Sequence, residues 1–323
     1  MTIQRDMKLV PKRQRTTTDP EYASPWKLGG LGPITLAKRV WYEMDQDEIF
    51  SRAAALSYYF LLALFPMLFF LTSLLGLIVG QNPQLQDALY SYLARVMPGD
   101  ASSLVTKTIH EITTQANGLK LAIGLITALW TASGGMSALG SSLNAAYDVR
   151  EGRPWWKRQL TFLLLTIAVA ALVIGALVII LFGGKLAQFA GSHLHLDNAL
   201  VLIWNIVQWP VAIFFVVFCF ALIYYFGADI KHARWYWITP GSVVGVFLWI
   251  IASLGFKLYL QFFNSYSKTY GSLGGVVVMM LWFYITGLAL LVGGEINAEI
   301  EHAAAEHGRA DAKAPGEKEA PAA

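Results

Sequence analysis

The chain has 323 residues, 56% of them hydrophobic and only 14% charged, with a formal net charge of +3. Soluble domains carry about 25% charged residues, so this deficit points to a lipid-embedded protein rather than a soluble enzyme. So small a net charge calls for no nucleic-acid partner, and the single cysteine, Cys219, excludes a disulfide framework or a Cys-based metal centre.

Residues 1–32 mix Pro, Thr, Gly and charge without periodicity and are expected to be a disordered N-terminal segment. They do not resemble a cleavable leader, because the apolar run that follows is too long for a signal h-region. From Pro33, Ile34, Ala37, Trp41 and Met44 recur at helical spacing with Lys38, Arg39 and Glu43 elsewhere on the turn, which predicts an amphipathic helix on the inner leaflet.

A bilayer core about 30 Å thick needs roughly 20 apolar residues at about 1.5 Å rise each. Six windows meet that demand, at about 53–80, 119–143, 160–183, 200–226, 239–263 and 274–297. Backbone groups in hydrocarbon must be satisfied within the segment, so the windows read as helices. The ten-residue alternation of a membrane barrel is absent.

The first span carries Pro66, which has no N–H for the carbonyl of Leu62 and should kink the helix. Ser57, Tyr58 and Tyr59 lie one to two turns earlier, where a hydroxyl could serve the freed carbonyl. Residues 81–118 follow, with a stripe of Leu85, Leu89, Leu93 and Val96, a break at "PGD" (98–100), and a second stripe of Leu104, Val105, Thr108, Ile109 and Ile112. Two short amphipathic helices on the outer face are the economical account.

In the second span Ser133, Ser137 and Ser141 fall four apart, beside a row of Gly134, Ala138 and Ser142. Such a small-residue face admits close approach of another helix, and the same hydroxyls would also suit a polar groove. The connection "REGRPWWKRQ" then sets Arg150, Arg153, Lys157 and Arg158 beside Trp155 and Trp156, a mixture suited to anionic headgroups. Arg153, Trp155, Trp156, Lys157 and Arg158 are therefore candidate lipid-headgroup contacts.

The fourth span carries Asn205, Gln208 and Pro210; the fifth has Gly241 and Gly245 at close-packing spacing and Lys257 placed to snorkel. The "HLHLD" run at 193–197 lacks a third well-spaced ligand and reads as a solvated loop rather than a metal site.

The sixth span ends in "LLVGGEINAEIEH". Gly274 to Gly294 is 21 residues, enough to cross the hydrocarbon, so Glu295 falls near the inner boundary. Glu295, Glu299 and His302 share one helix face. Glu299 and His302 match half of a di-iron carboxylate pattern, but the other spans supply no second half. A hydrated helix end accounts for Glu299; for Glu295 that account stands level with a carboxylate closing a polar cavity. The tail 303–323 is low-complexity and expected to be disordered.

Basic residues set the orientation. Of the 24 Lys and Arg, eighteen fall in the N-terminal segment, the 144–159 and 227–238 connections and the tail, against five on the other side. Both termini are thus expected in the cytoplasm.

"AAALSYYFLLALFPMLFF", "SLNAAYDVREGRPWWKRQ" and "YGSLGGVVVMMLWFYITGLALLVGGEINAE", in this order, resemble the YihY/BrkB family of bacterial inner-membrane proteins across roughly residues 35–300. By that resemblance Pro66, Asn144, Tyr270, Gly271, Gly274, Glu295 and Asn297 occupy motif positions; where family members commonly show Gly-Ala-Glu, this chain has Gly293-Gly294-Glu295. The resemblance implies six spans, an inner-membrane location and a role for which a ribonuclease label, virulence and lipid transport have all been named.

The expectation is an all-α integral membrane protein, with a six-span domain over 33–302 and amphipathic interfacial helices before span 1 and between spans 1 and 2. The functional expectation is transporter-like movement of a lipid or other amphiphile, with assembly of membrane proteins as the alternative. Pro66, Tyr58, Tyr59, Ser137, Asn144, Glu295 and Asn297 are the candidate cavity residues. Membrane lipids, a second copy or another membrane protein are the expected partners. No catalytic residue, metal or cofactor is expected, because nuclease chemistry needs a clustered metal site or a strong acid–base pair and a basic trough.

Overall fold

The computed structural model describes residues 24–80, 118–194, 197–230, 238–262 and 272–307. Within them lie a 3-10 helix, Pro25–Gly30, and the helices α1 (Pro33–Gln46), α2 (Ile49–Gly80), α3 (Gly118–Ala146), α4 (Trp155–Leu194), α5 (Asp197–Gly227), α6 (Pro240–Phe262) and α7 (Ser272–Glu306). The described residues contain no strand. Each of α2 to α7 holds a stretch long and apolar enough to cross a membrane, as the six windows anticipate. The helices overrun those windows at their polar ends: α2 begins at Ile49, and α7 continues to Glu306. Hydrocarbon thickness sets the apolar length of a span, whereas its helix ends only where capping or a turn stops it.

The chain divides into two compact units, residues 58–135 and residues 1–57 with 136–323. In the first unit α2 runs through Pro66 as one continuous helix. Tyr58 and Tyr59 are exposed and meet edge to face, with ring centroids 6.0 Å apart. The expected paired amphipathic helices fall mostly on residues 81–117, outside the described residues.

In the second unit α4 packs on α5, α5 on α6 and α6 on α7, while α1 and the 3-10 helix lie against α7. Pro33 starts α1, where its missing N–H costs nothing. Leu36, Val40 and Met44 of α1 are buried, while Ile34 and Trp41 are exposed. The buried stripe is thus the neighbour of the one the sequence pattern marks, and Ile34, Ala37 and Trp41 face outward.

Helix α7 is the hub of this unit. Its approach to α6 depends on glycine: a Cβ on Gly241 would strike the Gly293 carbonyl and the Asn297 side chain. Its far end is covered by the 3-10 helix, whose Gly29 has φ of +62° and no room for a Cβ against Ile300 and Ala303. Only glycine meets both demands there. Residues 25–30 are therefore folded onto α7, within a segment expected to be disordered; residues 1–23 and 308–323 lie outside the described residues.

Candidate functional site

On α7, Leu291, Glu295, Ala298, Glu299 and His302 recur at i, i+4, i+7, i+8 and i+11, one stripe of the helix. Glu295 is 1% exposed, Glu299 2% and His302 3%. Glu299 is therefore not a hydrated helix end. The 3-10 helix meets α7 on another face, at Ile300, Ala303 and Ala304, whereas α1, the α1–α2 turn and the turn after α3 bring their charges to Glu295.

His302 Nδ1 lies 3.2 Å from Glu299 Oε1. Among the described residues, both carboxylate oxygens of Glu295, Oε2 of Glu299 and Nε2 of His302 have no hydrogen-bond partner. A buried polar group left unsatisfied costs about 1–3 kcal/mol, and more if charged. Four such atoms on one stripe lower stability without any visible structural return.

Two left-handed turns bring further carboxylates to this region. Between α1 and α2, Glu48 adopts φ of 53°, and Arg52 Nε donates to the Asp47 carbonyl at 2.7 Å. After α3, Asp148 adopts φ of 52°, with its N–H on Ala145 O and that of Val149 on Asn144 O, both at 2.8 Å. Asp tolerates this conformation better than most residues, and the turn satisfies the last carbonyls of α3. Asp47, Glu43 and Asp148 thereby come within electrostatic range of Glu295. Burial, then the charges of Asp148 and Glu43, push the Asp47 carboxyl up to about 7 against the opposing pull of Arg52 and His302.

A second polar cluster closes the far ends of α3 and α5. Buried Asn144 donates from Nδ2 to Glu151 Oε2 at 3.0 Å and accepts from the Asp229 N–H at 2.7 Å. Arg153 pairs with Glu151 at 2.6 Å and sits 3.8 Å from Asp229. It also donates to the Phe226 and Gly227 carbonyls at 3.1 and 3.0 Å, neutralising the negative end of α5. Phe162 lies beneath the guanidinium, 5.1 Å from ring centroid to Cζ. Burial opposes charge on Glu151, but the Arg153 hydrogen bonds outweigh it and hold this carboxyl below its usual range.

Asn297 caps α6. Its Oδ1 accepts from the Gly241 N–H at 3.0 Å, and its Nδ2 donates to Thr239 Oγ1 at 3.0 Å. Thr239 and Ser242 complete the cap reciprocally at 3.1 and 3.0 Å.

Of the expected cavity residues, Glu295, Asn297, Asn144 and Ser137 belong to the unit built on α7, and Pro66, Tyr58 and Tyr59 to the other. Only Glu295 among the first four is unpartnered: Asn297 and Asn144 spend both ends of their amides, and Ser137 accepts from Arg158 Nη2 at 2.9 Å. Ser57 donates to the Ala54 carbonyl of its own helix at 2.7 Å. Of the headgroup candidates, Trp155, Trp156 and Lys157 are exposed, while Arg153 and Arg158 have protein partners. Sequence reasoning missed Asp47, Asp148, Glu151 and Asp229. Their signal was an acidic residue within five positions past a helix end. No group of three His, Cys, Asp or Glu is arranged to hold a metal ion among the described residues.

Comparison with known proteins places this architecture. The family model for Virulence factor BrkB matches residues 40–317. The ribonuclease-like protein YfkH of Bacillus subtilis is 36% identical over 265 residues, covering 82% of this chain and 94% of that protein. A UPF0761 membrane protein of Xanthomonas oryzae is 23% identical over 282 residues, covering 83% of this chain and 61% of its own length. One from Xanthomonas axonopodis is 24% identical over 286 residues with the same coverage. The chain thus spans about three fifths of these Xanthomonas relatives. No solved structure matches. With a family match over most of its length and six candidate spans, the chain belongs to the BrkB family of multi-pass membrane proteins.

Proposed function

We propose that this chain is a transporter-like protein of the bacterial inner membrane, with both termini in the cytoplasm, which moves a lipid or other amphiphile. The observation that carries this reading is the buried stripe on α7 in which, among the described residues, Glu295 has no hydrogen-bond partner and Glu299 pairs with His302. Ionisable groups inside a membrane bundle are costly and default to a functional role. An amphiphile fits because it needs only one polar station: opening of the helices over the stripe would admit its headgroup while its tails stay in the hydrocarbon. The helices around it keep broad apolar faces outward, including Phe214, Phe247, Ile251 and Leu254. Exposed Trp155, Trp156 and Lys157 would hold the α3–α4 connection at the headgroup layer.

Nuclease activity forms no part of this proposal, although YfkH is named ribonuclease-like. Among the described residues, the charges that act on Glu295 are those of Asp47, Glu299, Glu43 and Asp148, all acidic.

The test is reconstitution of the full chain in vesicles with a panel of labelled lipids. Faster transbilayer movement than in protein-free vesicles is expected for at least one lipid class. Unchanged movement across the panel with folded protein would remove the reading.

A further inference from the structure

We propose that Glu295 is a proton-binding site. The inference deepens the transport reading and rests on it for its purpose, coupling proton uptake to movement, but not for the existence of the site.

The chemistry is fixed by what surrounds Glu295. On its own helix stand Glu299 and His302, with Glu301 on the adjoining face. Helix α1 contributes Glu43, the α1–α2 turn Asp47, the start of α2 Arg52, and the turn after α3 Asp148 and the Tyr147 hydroxyl. Helix α5 brings Tyr224, whose hydroxyl is spent on the Leu290 carbonyl at 2.8 Å. The 3-10 helix and α6 meet α7 on its other faces, at Ile300, Ala303 and Ala304 and at Gly293 and Asn297. Carboxylates outnumber cations in this set of described residues, and Arg52 donates from Nε to a backbone carbonyl.

A carboxylate enclosed by like charge and given no donor takes up a positive partner or a proton. A metal ion would need several ligands converging, and no such group of three exists among the described residues. An organic cation would need space, whereas both Glu295 oxygens are closed over. A proton needs neither. It leaves a hydronium ion of the solvent and forms one O–H bond to a Glu295 oxygen, on a side chain that is 1% exposed and has no donor among the described residues.

Infrared spectroscopy of the full chain in vesicles, titrated in pH, tests this. A glutamate protonated-carboxyl band is expected that fades as pH rises, is missing in Glu295→Gln and remains in Glu299→Gln and in Asp47→Asn, which sets it apart from the Asp47 carboxyl near 7. Should Glu295→Gln not fold, carbon-13 labelling of glutamate in the wild type must shift the band, and labelling of aspartate must not. Sodium or calcium at constant pH should leave it unchanged; its loss on adding either would overturn the proposal in favour of a metal cation. No titrating glutamate band at any pH where the protein is folded would also overturn it. Lipid movement without the band overturns the proton site and leaves transport standing, while the band without lipid movement supports the site and removes transport.

Discussion

Glu295→Gln exchanges a buried carboxylate for a neutral amide of nearly the same shape. Where the wild type carries the charge, at alkaline pH, the variant should melt higher, by about 2–4 °C for each kcal/mol recovered. A gain in stability with loss of transport is the signature of a group kept for function. Asp47 gives a pH test with a definite sign. Its folded carboxyl lies near 7, above the ordinary value of 3.8, so the folded state holds the proton more tightly. Stability should therefore fall as pH rises from about 4 through 7, and Asp47→Asn should flatten that limb in thermal scans. At this scale the sequence revealed the shared face of Glu295, Glu299 and His302 but not its burial. Spacing along α7 cannot show that turns after α1 and α3 bring Asp47 and Asp148 to it.

Arg153 decides a packing question between elements. Its guanidinium ties Glu151 and Asp229 to the last carbonyls of α5, with side-chain exposures of 11%, 20% and 18%. Removing one member of a largely buried ion pair costs about 3–5 kcal/mol, so Arg153→Met should lower the detergent melting point sharply while Lys157→Met leaves it nearly unchanged. The charge-rich connection after α3 looked like a lipid anchor because Arg beside Trp has that composition. What composition could not show is that the bare carbonyls at the end of α5 lie within reach of Arg153 and claim it. The α6–α7 contact is tested by Gly241→Ala, whose new methyl meets the Gly293 carbonyl and should cost about 1–3 kcal/mol. Gly255→Ala, with open space beside it among the described residues, should be neutral or slightly stabilising. The glycine spacing was legible in the sequence; the helix it serves was not.

Across the whole molecule, hydrophobic length and charge asymmetry were the strongest sequence signals, since bilayer thickness imposes them on any spanning helix. They placed the six spans, while caps and turns, which follow local chemistry, set the true ends. The orientation they imply predicts that a reporter fused behind Ala323 is active in the cytoplasm and silent outside. The central claim is that the polar stripe inside this apolar bundle serves an amphiphile. Its most direct measurement is transbilayer movement of labelled lipid in vesicles containing equal amounts of folded wild type and Glu295→Gln. The account predicts acceleration by the wild type and a return to the protein-free rate in a variant at least as stable. Equal movement by both proteins, or none by the wild type, would contradict it.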